Sequence, residues 1–166
     1  MLIAFGLKQS FLLQDGTWPW LATDLPKLRT LLLTRAHAGT ALLWPAAIGD
    51  CTALRSLYLE GSTAAPIPDG PYLSRLEKLA WLAPFAEIPD ALADAAALEE
   101  LAIGSSQMRL ERVAGCSILP ALLNLRKLSL PVLAQKIPAA TAALSLQQHL
   151  PGVAIDCQRP IPDDWC

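Results

Sequence analysis

The chain has 166 residues, of which 53% are hydrophobic and 17% charged, and its net charge at pH 7 is −2. This length accommodates one domain, and the composition is too apolar for an intrinsically disordered chain. The small net charge gives no reason to expect nucleic acid or an anionic membrane as a partner. No apolar run approaches the roughly 20 residues that a membrane span needs.

The first 17 residues do not follow the pattern that dominates the rest of the chain. We interpret residues 1–17 as an N-terminal cap or a degenerate repeat, with Phe11-Leu12-Leu13 as a candidate strand and Asp15-Gly16 as a turn. The start, Met1 to Leu7, has no basic leader and too short an apolar core for a secretory signal. The single asparagine, Asn124, begins no glycosylation sequon. We therefore expect a cytoplasmic protein.

From residue 18 to residue 155 one pattern recurs. A bulky residue and a proline open most units, as at Trp44-Pro45, and leucines three residues apart follow. The clearest copy, from Cys51 to Ser62, reads C-x-x-L-x-x-L-x-L-x-x-S. Each unit ends in an apolar triplet, and the triplets are Leu31-Leu32-Leu33, Leu57-Tyr58-Leu59, Leu79-Ala80-Trp81, Leu101-Ala102-Ile103 and Leu128-Ser129-Leu130. In a short strand, the outer two residues of each triplet share one face.

Equivalent leucines lie 26, 22, 22 and 27 residues apart, counted through Leu28, Leu54, Leu76, Leu98 and Leu125. A period of about 20–29 residues with L-x-x-L-x-L is the signature of leucine-rich repeats, in which a unit buries its leucines only against neighbouring units. The chain resembles the leucine-rich repeat family over Trp18 to Ile155, and the phrase beginning at Ile88-Pro89 is similar to the plant-type variant. The resemblance implies an α/β solenoid with parallel strands on the concave face and short helices or helical turns on the convex side.

The sequence departs from the family at the end of each strand, where the family carries asparagine. The equivalent positions here are Ala36, Ser62, Pro84, Ser106 and Leu133. With one asparagine in the chain no asparagine ladder can form, so we expect a less regular column of turns.

Short helices or helical turns are expected in the segments that return from one strand to the next. Pro89 suits a first helical position, and Asp90 to Glu100 is rich in helix-forming residues. The longest predicted helix runs from Ala139 to His149 and is followed by Pro151-Gly152. Residues 156–166 are polar and contain proline, which predicts a C-terminal cap or tail.

Strand residues between the buried leucines are expected to face the concave side, in columns about 4.8 Å apart. One column, Leu32, Tyr58, Ala80, Ala102 and Ser129, is mostly small and apolar. A second column is Thr30, Ser56, Lys78, Glu100 and Lys127, and the column before it is Arg29, Arg55, Glu77, Glu99 and Arg126. The charges form either a solvated ladder of ion pairs, each worth about 0–1 kcal/mol, or part of a partner surface anchored by Tyr58, Leu32 and Arg35.

The two longer units carry their extra residues after the strand, in residues 34–40 and 105–112. Insertions in solenoids often lie on the binding face, although loops of this length are also tolerated without a role. The predicted partner-binding residues are Leu32, Arg35, His37, Tyr58, Glu60, Lys78, Glu100, Arg109 and Lys127.

Signals for catalysis, for a metal or for a cofactor are weak, and we expect none of these. The cysteines contain no C-x-x-C pair, and neither histidine has a ligand partner at metal spacing. Cys51 takes a leucine position and predicts a buried thiol. A disulfide between Cys157 and Cys166 stays open, as does a nucleophile–base pair of Cys116 with His149 or of Cys51 with His37.

The predicted function is a non-enzymatic protein–protein interaction module, whose concave face and one loop-bearing rim bind another protein. By analogy, the resemblance implies a recognition or adaptor part of a signalling, resistance or ubiquitin-ligase system. Two alternatives are a small enzyme with a cryptic Cys/His site and a truncated repeat fragment with no binding role.

Overall fold

The computed structural model describes residues 4–8, 23, 26–34, 44–61, 66–84, 87–104, 113, 116–130 and 139–157. Within these ranges the strands form one seven-stranded sheet, whose strand order is the order of the chain and whose neighbours are all parallel. The strands are β1 (Ala4–Lys8), β2 (Thr30–Thr34), β3 (Ser56–Glu60), β4 (Lys78–Leu82), β5 (Glu100–Gly104), β6 (Lys127–Ser129) and β7 (Ala154–Asp156).

The register confirms the predicted alignment of the leucine triplets. The first residues of the triplets are paired from strand to strand as Leu31, Leu57, Leu79, Leu101 and Leu128, and the series continues to Ile155. All five leucines are buried in one apolar cluster. The leucines three residues earlier, from Leu28 to Leu125, belong to the same cluster. The core therefore lies against one face of the sheet and continues through the stacked units.

Backbone hydrogen bonds repeat with the sequence period at the point where each strand begins. The carbonyl of Arg29 accepts the N–H groups of both Arg55 and Ser56, at 2.8 and 2.9 Å. The carbonyls of Arg55, Glu77 and Glu99 each accept the same two N–H groups of the following unit. Backbone groups that leave water need hydrogen-bond partners. Here the partner lies in the neighbouring unit, so these two bonds join one unit to the next.

The returning segments contain short helices, as predicted. Among the helices whose full extent the structure describes, three are 3-10 helices, at Ala46–Asp50, Leu73–Arg75 and Asp90–Asp94, and two are α-helices, α1 (Ile118–Ala121) and α2 (Ala139–Gln147). Pro89 precedes its helix instead of beginning it, and its carbonyl accepts the N–H of Leu92 at 3.1 Å. Leucines three residues apart suit 3-10 turns, in which side chains at i and i+3 eclipse.

The structure contains an N-terminal strand, β1, that the sequence interpretation did not predict. β1 pairs with β2 so that Phe5 is opposite Leu31 and Leu7 is opposite Leu33. The candidate strand at residues 11–13 lies outside the described residues. The missed signal is Leu2-x-x-Phe5-x-Leu7, which repeats the frame of the next unit 26 residues ahead of it.

Two of the three described cysteines are buried thiols. Cys51 is 5% exposed, as predicted, and its Sγ lies 3.4 Å from the carbonyl oxygen of Ala47. Burial, and secondarily the charge of Asp50, raises the pKa of the Cys51 thiol. Cys157 is also buried and free, and Cys166 lies outside the described residues.

Among the positions at which leucine-rich repeats carry asparagine at the end of the strand, the structure describes only Pro84, which is half-buried.

Tyr72 is fully buried in the main core, and its hydroxyl donates to the carbonyl of Pro68 at 2.7 Å. Burial raises the pKa of Tyr72 first, and the charges of Asp69 and Cys51 add to the shift. The folded protein therefore keeps a proton that the unfolded chain releases above about pH 10, the ordinary tyrosine value.

Alkaline pH is expected to destabilise the protein through Tyr72. The contribution is fully present below about pH 10 and is lost as the pH rises toward the folded-state pKa, because the unfolded state then binds fewer protons. Urea unfolding at about pH 8 should show Tyr72→Phe to be about 1 kcal/mol less stable than wild type, since one hydrogen bond is lost. At about pH 11 the gap should narrow. If the difference in unfolding free energy between wild type and Tyr72→Phe were the same at both pH values, a raised pKa of Tyr72 in the folded protein would be contradicted.

Candidate partner-binding face

The sheet has a second face, opposite the leucine core. We call it the second face and divide it into three rows that cross the strands. The central row is Leu32, Tyr58, Ala80, Ala102, Ser129 and Asp156 in register. The leading row is Thr30, Ser56, Lys78, Glu100, Lys127 and Ala154. The trailing row is Thr34, Glu60, Leu82 and Gly104.

The central row is buried from Tyr58 to Ser129, whereas Leu32 and Asp156 at its two ends are half-buried. Tyr58 is 6% exposed, and Ala80 and Ala102 are 0% and 1% exposed. These three residues form a second apolar cluster, separate from the main core, and the half-buried Leu32 and Leu82 pack against it. The ring of Tyr58 therefore packs within the second face.

The polar end of Tyr58 points to the trailing row. Its hydroxyl donates to Glu60 Oε2 at 2.9 Å, and Glu60 itself is exposed. Residues two apart on a strand lie on one face, so the phenol and the carboxylate both belong to the second face. A charged acceptor makes this a comparatively strong hydrogen bond.

Truncation of Tyr58 is expected to lower stability. We expect Tyr58→Ala to lose about 3 kcal/mol of unfolding free energy, because a large buried ring is removed. Tyr58→Phe keeps the ring and should lose only about 1 kcal/mol with the hydrogen bond to Glu60. Urea unfolding of the two variants measures both values. Wild-type stability in Tyr58→Ala would mean that the ring contributes no packing.

Ion pairs join neighbouring units along two columns, as one of the two sequence interpretations predicts. Lys78 Nζ lies 2.7 Å from Glu100 Oε1 in the leading row, with side chains 32% and 22% exposed. In the preceding column Arg55 Nε lies 3.5 Å from Glu77 Oε1. A third pair, Arg126 Nη1 to Glu99 Oε2, is 3.8 Å long and more exposed. Such partly exposed pairs contribute about 0–1 kcal/mol each.

Arg55 is held in place from two sides. Besides its pair with Glu77, its Nη1 donates to the carbonyl of Leu54 at 2.9 Å. A guanidinium with several partners loses less conformational freedom when a further group binds it. The charges beside the second face are therefore partly preorganised.

The predicted partner-binding residues separate into three groups. The structure brings Lys78 together with Glu100, and Tyr58 together with Glu60. Leu32 and Lys127 are half-buried on the same face. Three further residues lie outside the described residues and are Arg35, His37 and Arg109. Of the two predicted insertions, residues 34–40 and 105–112, the structure describes only Thr34, which ends β2.

Two features of the surface were not predicted from the sequence. Asn124 Nδ2 donates to the carbonyl of Ala96 at 2.8 Å, which ties one unit to the one before it. The sequence contains a signal for this contact, because Asn124 directly precedes Leu125, one of the repeating leucines. Leu123 and Leu144 are 90% and 70% exposed. Their exposure has no sequence signal, since both positions carry an ordinary aliphatic residue.

The residues with reactive side chains occupy separate environments. Cys116 is half-buried against the main core. His149 is exposed, and its Nδ1 lies 3.1 Å from the carbonyl oxygen of Ser145. Within the described ranges, no cluster of three or more His, Cys, Asp or Glu is arranged to hold a metal ion. In the same ranges no helix combines the length and the apolarity that crossing a membrane requires.

The chain matches no protein-family model, and a search of curated proteins found no match.

Proposed function

We propose that this chain is a leucine-rich-repeat solenoid and that it acts as a protein–protein interaction module. Its fold-level support is the repeat of one hydrogen-bond arrangement and one leucine register in successive units. Fold alone does not give a function, so the binding role has to be argued from the second face.

The observation that carries the proposal is the set of accessible polar groups beside the buried central row. Glu60 is exposed, and Lys78, Glu100 and Lys127 are half-buried on neighbouring strands. They stand on a single hydrogen-bonded sheet. Because these groups are held on a rigid sheet, they are ordered before a partner binds. Binding therefore costs less conformational entropy.

The charge pattern favours specificity over strong non-specific attraction. From β4 to β6 the leading row carries Lys78, Glu100 and Lys127, so its sign alternates. Complementary charges in a partner would be attracted in only one register, and a shift of one strand would bring like charges together. We therefore propose a partner protein with matching charges, in a recognition or adaptor role in a signalling, resistance or ubiquitin-ligase system.

The test exchanges two charges of the leading row, Lys78 and Glu100, and leaves their ion pair possible. In the double variant Lys78→Glu/Glu100→Lys, the two side chains can still pair, so stability should change by less than about 1 kcal/mol. The partner would meet these two charges inverted and should bind at least about tenfold more weakly, which corresponds to about 1.4 kcal/mol. Affinity purification from the source cells with quantitative mass spectrometry measures the difference, followed by a Kd for each purified candidate.

A matched control reverses two charges on the returning segments. Arg75→Glu/Asp94→Lys changes the same number of charges at exposed positions. We expect this control to capture the same proteins as wild type. The proposal requires proteins that wild type and control capture and that the leading-row variant loses. Equal capture by all three proteins would contradict binding through the second face.

A further inference from the structure

We draw no further inference here: the strongest candidate, the buried central row of Tyr58, Ala80 and Ala102 with Leu32 and Leu82 beside it on the second face of the sheet, belongs to the site already described, and nothing in the structure shows what covers it.

Discussion

Leu57→Asp is expected to unfold the chain. Leu57 is 0% exposed and lies between Leu31 and Leu79 in the register of the sheet. A carboxylate at this position would be surrounded by the apolar cluster, which offers it no compensating charge. The expected loss is at least about 4 kcal/mol, a large part of the roughly 5–15 kcal/mol by which domains are stable.

Two variants make this test specific to the stacked interior. Leu123→Asp introduces the same substitution where the leucine is 90% exposed, and it should change stability by less than about 0.5 kcal/mol. Leu57→Ala should lose about 3 kcal/mol through the cavity alone. Circular dichroism in a urea series gives all three values. If Leu57→Asp unfolded at the same urea concentration as Leu123→Asp, the assigned register would be wrong.

Gly49→Ala should also destabilise the protein strongly, although it adds only one carbon. A Cβ at Gly49 would lie 2.5 Å from the backbone carbonyl oxygen of Asp69, in the next returning segment. Backbone cannot move aside as a flexible side chain can, so the two units must separate. We expect a loss of about 3 kcal/mol, at the upper end of overpacking effects. Thermal unfolding and urea unfolding both measure it.

Gly70 provides the complementary half of a double-mutant cycle. A Cβ at Gly70 would lie 2.5 Å from the Cα of Gly49, so both glycines allow the backbones of the two segments to approach closely. Once one alanine has separated the segments, the second alanine should cause a smaller further loss of unfolding free energy. The double variant should therefore lose less stability than the sum of the two single variants. Gly152→Ala is the control, because a Cβ there meets nothing within 4 Å and φ is +87°. Gly152→Ala should lose about 1–2 kcal/mol of stability, which is the strain of a left-handed backbone at a residue with a side chain. Additive losses at Gly49 and Gly70 would mean that the two segments are not in contact.

The sheet could be predicted in detail because its signal is redundant. The alternation within each triplet predicts which side chains face the core, and the repeat spacing predicts which residues lie opposite each other on neighbouring strands. Both signals predict that Leu57 and Leu79 are aligned, as they are in the sheet. The first strand was missed because its copy is weaker. It has Phe5 at a leucine position and Gly6 between the two core positions, and no proline opens the unit.

The candidate site could be predicted only in part. Adjacent parallel strands bring equivalent residues close together, so the pairing of Lys78 with Glu100 follows from the register. The burial of Tyr58 does not follow from it. Alternation assigns the residue to a face, whereas burial depends on what packs around the ring, and that is a tertiary property.

The central claim is that each unit adds one strand to a single parallel sheet and shares its buried leucine only with the units on either side. Methyl–methyl nuclear Overhauser effects among Leu31, Leu57, Leu79, Leu101 and Leu128 test it directly, because adjacent strands lie about 4.8 Å apart. We expect contacts between consecutive members of this series and none between members three strands apart. Contacts between Leu31 and Leu101, or no contact between Leu57 and Leu79, would contradict it.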